Sequence, residues 1–155
     1  MIHKFLILTC LLSAILLAVS CGSQKEKETK TDNEFKKIEN YFKTTHNYEI
    51  GNDINKIVVI GEGNSCGTCE KAFAQVAFQY LTDSSVFLLT AKGNNVDINP
   101  YMQLKENCFF DWQLNTIEYE NLSGSRVIYL KNKEIDTTII INSAQIMEQL
   151  EYIKN

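Results

Sequence analysis

Two histidines in 155 residues, one of them His3, leave little from which to build a metal centre. A four-ligand structural zinc site on the cysteines would still need partners beyond His46. No paired carboxylates, Ser-His-Asp set, phosphate loop or nucleotide-binding fingerprint occurs, so hydrolytic and cofactor chemistry have no support. Basic residues do not outnumber acidic ones (15 against 19), and nothing here suits nucleic acid or an anionic lipid surface. There is no internal repeat, and proline occurs once, at position 100. No apolar run reaches the roughly 20 residues that a membrane-crossing helix needs.

The longest such run, residues 5–19 (FLILTCLLSAILLAV), follows Lys4 and ends in the small residues Ala18-Val19-Ser20-Cys21. That pattern predicts a secretory signal peptide over residues 1–20. Residues 17–21, LAVSC, resemble the lipobox of bacterial lipoproteins. The resemblance implies cleavage before Cys21, a diacylglyceryl group on its sulfur, and an anchor to a membrane of the bacterial cell envelope, on the periplasmic side or at the cell surface. Cleavage would remove Lys4 and leave 14 basic against 19 acidic residues. No apolar residue lies between Gly22 and Glu34, so residues 21–33 are expected as a flexible polar tether.

Residues 34–155 fit one domain. Phe35, Ile38, Tyr41 and Phe42 recur at helical spacing and predict an amphipathic helix over 34–45. The run KIVVI, 56–60, lacks polar alternation and reads as a strand covered on both faces. Next comes IGEGNSCGTCEKAF, with Cys66 and Cys69 two residues apart, and then a helical stripe of Phe73, Val76, Ala77, Tyr80 and Leu81. VFLLT, 86–90, is a second buried strand, so strand, cysteine pair, helix and strand form a βαβ unit with the dithiol at the helix N-terminus. Residues 99–107 suggest a short helix with Pro100 in its first turn, and CFFDW, 108–112, is apolar and ambiguous. RVIYL, 126–130, and TTIII, 137–141, read as strands joined through Asn132, and Asn142 with Gln145 can cap a final helix over 143–153. The expected class is α/β, a central mixed sheet flanked by helices, with an added N-terminal helix.

From residue 56 onward this order resembles a thioredoxin-like protein: buried strand, Cys-Gly-Thr-Cys at a helix start, second strand, connecting region, then a hairpin carrying LKNKEI. Such proteins normally place a cis-proline just before the hairpin, where this chain has Ser125, and often a buried acid on the strand before the dithiol, where it has Ile60. The resemblance makes Cys66 the attacking thiol and Cys69 the resolving thiol, and gives Ser125 the place of the substrate-docking loop. It implies a cofactor-free thiol-disulfide oxidoreductase acting on protein thiols or disulfides of the envelope.

A helix N-terminus favours the Cys66 thiolate, Glu62 and Glu70 oppose it, and Lys71 supports it. Two other readings stand beside the enzyme. A passive disulfide on an accessory or binding lipoprotein would close a four-residue ring worth about 2 kcal/mol, against about 3 for a fifteen-residue loop. A metal-binding module is suggested by the likeness of GNSCGTCEKAF to heavy-metal-associated domains, since paired soft thiolates suit Cu(I) or Zn. Against it, Asn64 stands where those domains have Met, and the preceding strand is apolar on both faces. Cys108, beside two phenylalanines, reads as a core thiol, and His46 as a solvated residue near a helix end.

Overall fold

The computed structural model describes residues 22–61, 67–90, 96–104, 106–113 and 115–154, with the side chains of 22–32, 117 and 118 also left out. The chain divides into two compact units, Met1–Asn33 and Glu34–Asn155. Of the first, only helical backbone from Gly22 onward is described.

Helix α1 spans Gly22–His46. It begins earlier than its apolar pattern, whose first member is Phe35. From Phe35 the expected stripe is realised: Phe35, Ile38, Tyr41 and Phe42 are all buried. Strand β1, Lys56–Ile60, leads to helix α2, Gly67–Tyr80, and strand β2, Ser85–Leu89, which pairs with β1 in parallel. Strand β3, Cys108–Phe110, adds in parallel to β2. Strands β4, Arg126–Lys131, and β5, Glu134–Ile140, form an antiparallel hairpin joined to β1 through β4, and helix α3, Ile146–Lys154, closes the chain. The result is an α/β domain on a five-stranded mixed sheet in the order β3-β2-β1-β4-β5.

The middles of the central strands are apolar because both faces are covered. Val58, Ile60, Phe87, Leu89 and Val127 pack with Phe73, Ala77, Leu81, Leu150 and Ile153 from α2 and α3. Ile57, Val59, Val86, Leu88 and Ile128 pack with Phe35, Ile38, Tyr41 and Phe42 of α1. Each face follows the period of two along a strand.

Several boundaries differ from the sequence expectation. The hairpin turn is only Asn132-Lys133, both at positive φ (53° and 61°), so β5 starts at Glu134 and takes in residues read as a longer connection. Two such residues match the twist of a tight hairpin. Phe73 and Ala77 of α2, and Leu81 just after it, are buried but Tyr80 is exposed, because Ala74 completes the inward face. The 99–107 segment contains one short 3-10 turn, Tyr101–Gln103, with Pro100 as its N-cap. Asn142 Oδ1 accepts the Gln145 N–H (3.0 Å) as a cap should, but its own N–H goes to Gln149 Oε1 (3.1 Å), and the helix proper begins at Ile146.

Candidate functional site

Strands β1, β2 and β3 run in parallel, so their C-terminal ends share one edge of the sheet, and α2 starts above the end of β1. Cys69 is the third residue of α2, where backbone N–H groups lack intrahelical acceptors. Its sulfur is in a disulfide and the residue is only 9% exposed. Cys66 and Glu62 lie outside the described residues, as does Cys21. Lys71 is exposed, whereas Glu70, in the same first turn, is buried and faces inward beside Cys69.

Below this turn sits a dense polar junction. Ser125 is 3% exposed. Its hydroxyl donates to the Gly61 carbonyl (3.0 Å) and accepts the Gly61 N–H (3.2 Å), and its own carbonyl accepts the Ile141 N–H (2.9 Å). The Thr90 N–H donates to the Ile60 carbonyl at 2.9 Å. A Cβ on Gly61 would stand 2.5 Å from Thr90 Oγ1 and 3.4 Å from the Gly124 backbone, so only glycine fits. Gly124 itself has φ 67°, a conformation that favours glycine. The buried Arg126 guanidinium donates to the Ser123 carbonyl and holds the turn that presents Ser125. Burial lowers the Arg126 pKa, and its Nε is buried with no hydrogen-bond partner. Ile60 is wholly buried in the apolar core, where an acid would have faced it.

A second polar cluster, unannounced in the sequence reading, lies at the end of β3. Asp111 is 2% exposed. Its carboxylate accepts the Tyr41 hydroxyl (3.0 Å), the Thr116 N–H (2.9 Å) and the Asn115 amide (3.1 Å). Burial, reinforced by the Asp111 hydrogen bond and charge, raises the Tyr41 pKa. His46 corrects the expectation of a solvated residue: its ring packs on Phe109 (centroids 4.9 Å apart) and edge-on to Tyr41, and Nε2 is 3.4 Å from the Tyr41 hydroxyl. Desolvation lowers the His46 pKa, with Asp111 opposing. The signal for this cluster was an acid inside the apolar run CFFDW, with tyrosine and histidine five residues apart on α1.

Cys108, a free and half-buried thiol, has its pKa pushed up to about 12 by burial, which fits a packing role and disables it as a nucleophile at neutral pH. Trp112, half exposed, stacks on Phe110 with ring centroids 5.2 Å apart. Two large clefts, about 700 and 640 Å³, lie along α1 among lysines, glutamates and asparagines, and neither is lined by Cys69. Among the described residues no cluster of three or more His, Cys, Asp or Glu side chains could hold a metal, and no helix is long and apolar enough to cross a membrane.

Chemically, the start of α2 offers a disulfide-bonded cysteine, and the end of β1 is held by Ser125 at Gly61 and by Thr90 at Ile60. No protein-family model, curated protein or solved structure matches this chain.

Proposed function

We propose that the protein is a thioredoxin-like thiol-disulfide oxidoreductase of the bacterial cell envelope, anchored through lipid on Cys21 and working through Cys66 and Cys69. The observation that carries this reading is Cys69: a buried, disulfide-bonded sulfur in the first turn of the helix that follows the central strand. The surrounding topology supports it, because a parallel βαβ unit followed by an antiparallel hairpin and a closing helix is the order that the resemblance calls for.

In this proposal the partner of Cys69 is Cys66, the cysteine that the resemblance pairs with it, and among the described residues Cys108 is free. In the reduced protein the Cys66 thiolate attacks one sulfur of a client disulfide, forming a mixed disulfide and releasing the client's other sulfur as a thiolate. The Cys69 thiolate then attacks Cys66 Sγ, closing the intramolecular disulfide and releasing the second client sulfur. Two electrons pass to the client, whose sulfurs take up the two protons lost by the cysteines. The reverse sequence oxidises a client dithiol.

A passive disulfide on an accessory lipoprotein is favoured by one observation, the absence of any buried acid at Ile60 to receive the Cys69 proton. Trapping separates the two readings. Cys69→Ser cannot complete the second step, so in cells it should accumulate reducible mixed disulfides with envelope proteins, and Cys66→Ser/Cys69→Ser should accumulate none. A Cys69→Ser variant that captures nothing would leave the accessory reading in place.

A further inference from the structure

We infer that the outer edge of β5, with the groove between β5 and α3, is a docking surface for an extended, basic segment of another polypeptide, which joins the five-stranded sheet as a further strand. The inference goes beyond the reading above and does not depend on the cysteine chemistry.

Strand β5 ends the sheet: its seven residues pair with β4 on one side and, among the described residues, with no strand on the other. The Ile141 N–H donates to the Ser125 carbonyl, and inward and outward residues alternate along an antiparallel ladder, so Thr138 and Ile140 turn their backbone groups away from β4. One of these groups is met by a side chain. The Gln149 amide of α3 donates to the Ile140 carbonyl (2.7 Å), in the place a further strand would hold. The Thr138 N–H and carbonyl and the Ile140 N–H face outward with no strand beyond them among the described residues. Exposed edges are commonly closed by a bulge, a proline or a charge. Here the irregularity in pairing falls at Asp136, and beyond it Thr137 to Ile140 run in regular register, β-branched and uncharged.

Beside this edge a groove of about 330 Å³ opens between strand and helix, walled by Thr137 and Ile139 of β5 and by Glu148 and Tyr152 of α3. Alternate side chains of an added strand project toward it, and Ile139 with the exposed Tyr152 ring offers them apolar surface. Charge decides the occupant. Among the described residues that line the groove Glu148 alone is charged, and Asp136 is exposed where the regular edge begins. The lysines of the hairpin and of α3 are committed: Lys154 to Glu151 (2.7 Å), Lys133 to Glu39 (3.4 Å), and Lys131 opposite Glu134. A second copy of this chain would bring its own Asp136 and Glu148 and answer neither acid, whereas lysine or arginine on an extended partner answers both.

The test is fluorescence anisotropy of a labelled peptide, Thr-Val-Thr-Val-Thr-Lys-Thr-Lys, titrated with the full chain in detergent against a detergent blank. Half-saturation is expected below about 1 mM, and the counterpart with both lysines replaced by glutamate should bind about tenfold more weakly. Thr138→Pro removes an outward N–H and leaves the bonds to β4, so it should weaken binding of the lysine peptide about tenfold. Glu148 is exposed, so Glu148→Gln keeps the fold and should bring the two peptides within about threefold of each other. A lysine peptide that does not saturate, a glutamate peptide that binds as well, a Thr138→Pro chain that binds like the unchanged protein, or a Glu148→Gln chain that keeps the full preference would each overturn the proposal. So would a dimer of the full chain that Thr138→Pro disperses, which would give this edge to a second copy.

Discussion

The two polar clusters at the edge of the sheet where β1, β2 and β3 end, Asp111 after β3 and Ser125 before β4, stand about three strand spacings, roughly 14 Å, apart, yet they are built on different principles. The Asp111 cluster is charged and saturated: three donors converge on one buried carboxylate, and one of them, Tyr41, belongs to a helix 70 residues away in sequence. At Ser125 the central tie is neutral, one hydroxyl serving two backbone groups of Gly61, with the buried Arg126 guanidinium bracing the turn beside it. A buried carboxylate is costly without its partners, so the first arrangement is all-or-none and suits a weld between α1 and the edge strand. A neutral hydroxyl can be lost at modest cost, so the second suits a local tie at the end of β1. The difference teaches that the two clusters hold the fold in separable ways, and under the proposed function substitutions should separate stability from redox behaviour.

The largest effect is expected at Asp111. Asp111→Ala leaves the Tyr41 hydroxyl and the Thr116 N–H without their acceptor, and should cost about 3 kcal/mol in urea unfolding while leaving the redox equilibrium of Cys69 within about twofold of the unchanged protein. An equal effect on both would erase the contrast. Next in size is Gly61→Ala, whose new methyl must displace the buried Thr90 hydroxyl, at about 2 kcal/mol. Thr90→Ala should recover part of that loss in the double variant, and a strictly additive pair would refute the close approach.

Much of this architecture is legible in the sequence, and the reasons differ by element. KIVVI reads as a doubly covered strand because both faces are in fact covered, and Phe35, Ile38, Tyr41 and Phe42 give α1 away by spacing alone. CFF is unreadable because three half-buried residues carry no period, and it becomes a strand only by pairing with β2. The clusters were hidden for a related reason. Ser125 meets Gly61 across 64 residues and Asp111 meets Tyr41 across 70, and no local pattern encodes such partners. The cysteine pair marks where α2 begins, but nothing local tells that Glu70 beside Cys69 would be buried.

The smallest effect concerns pH. His46 has a lowered pKa in the fold, so the folded state prefers the neutral ring and binds fewer protons than the unfolded chain. Its contribution is fully present above the ordinary value of about 6.5 and is lost as pH falls below it. The urea midpoint should therefore drop between pH 7.5 and 5.5, and His46→Gln should flatten that drop. An unchanged slope in His46→Gln would remove the histidine from the weld.

The central claim, the proposed reactive dithiol of Cys66 and Cys69, is tested most directly by the alkylation rate of the reduced full chain against pH, resolved by peptide mass mapping. Cys108, at about 12, stays silent across the neutral range. The account predicts one thiol, Cys66, titrating below the free cysteine value of about 8.5 and above the most acidic examples near 3.5, with the fast phase abolished in Cys66→Ser. A Cys66 that resists alkylation in the folded protein up to that value, or a curve unchanged in Cys66→Ser, would contradict it.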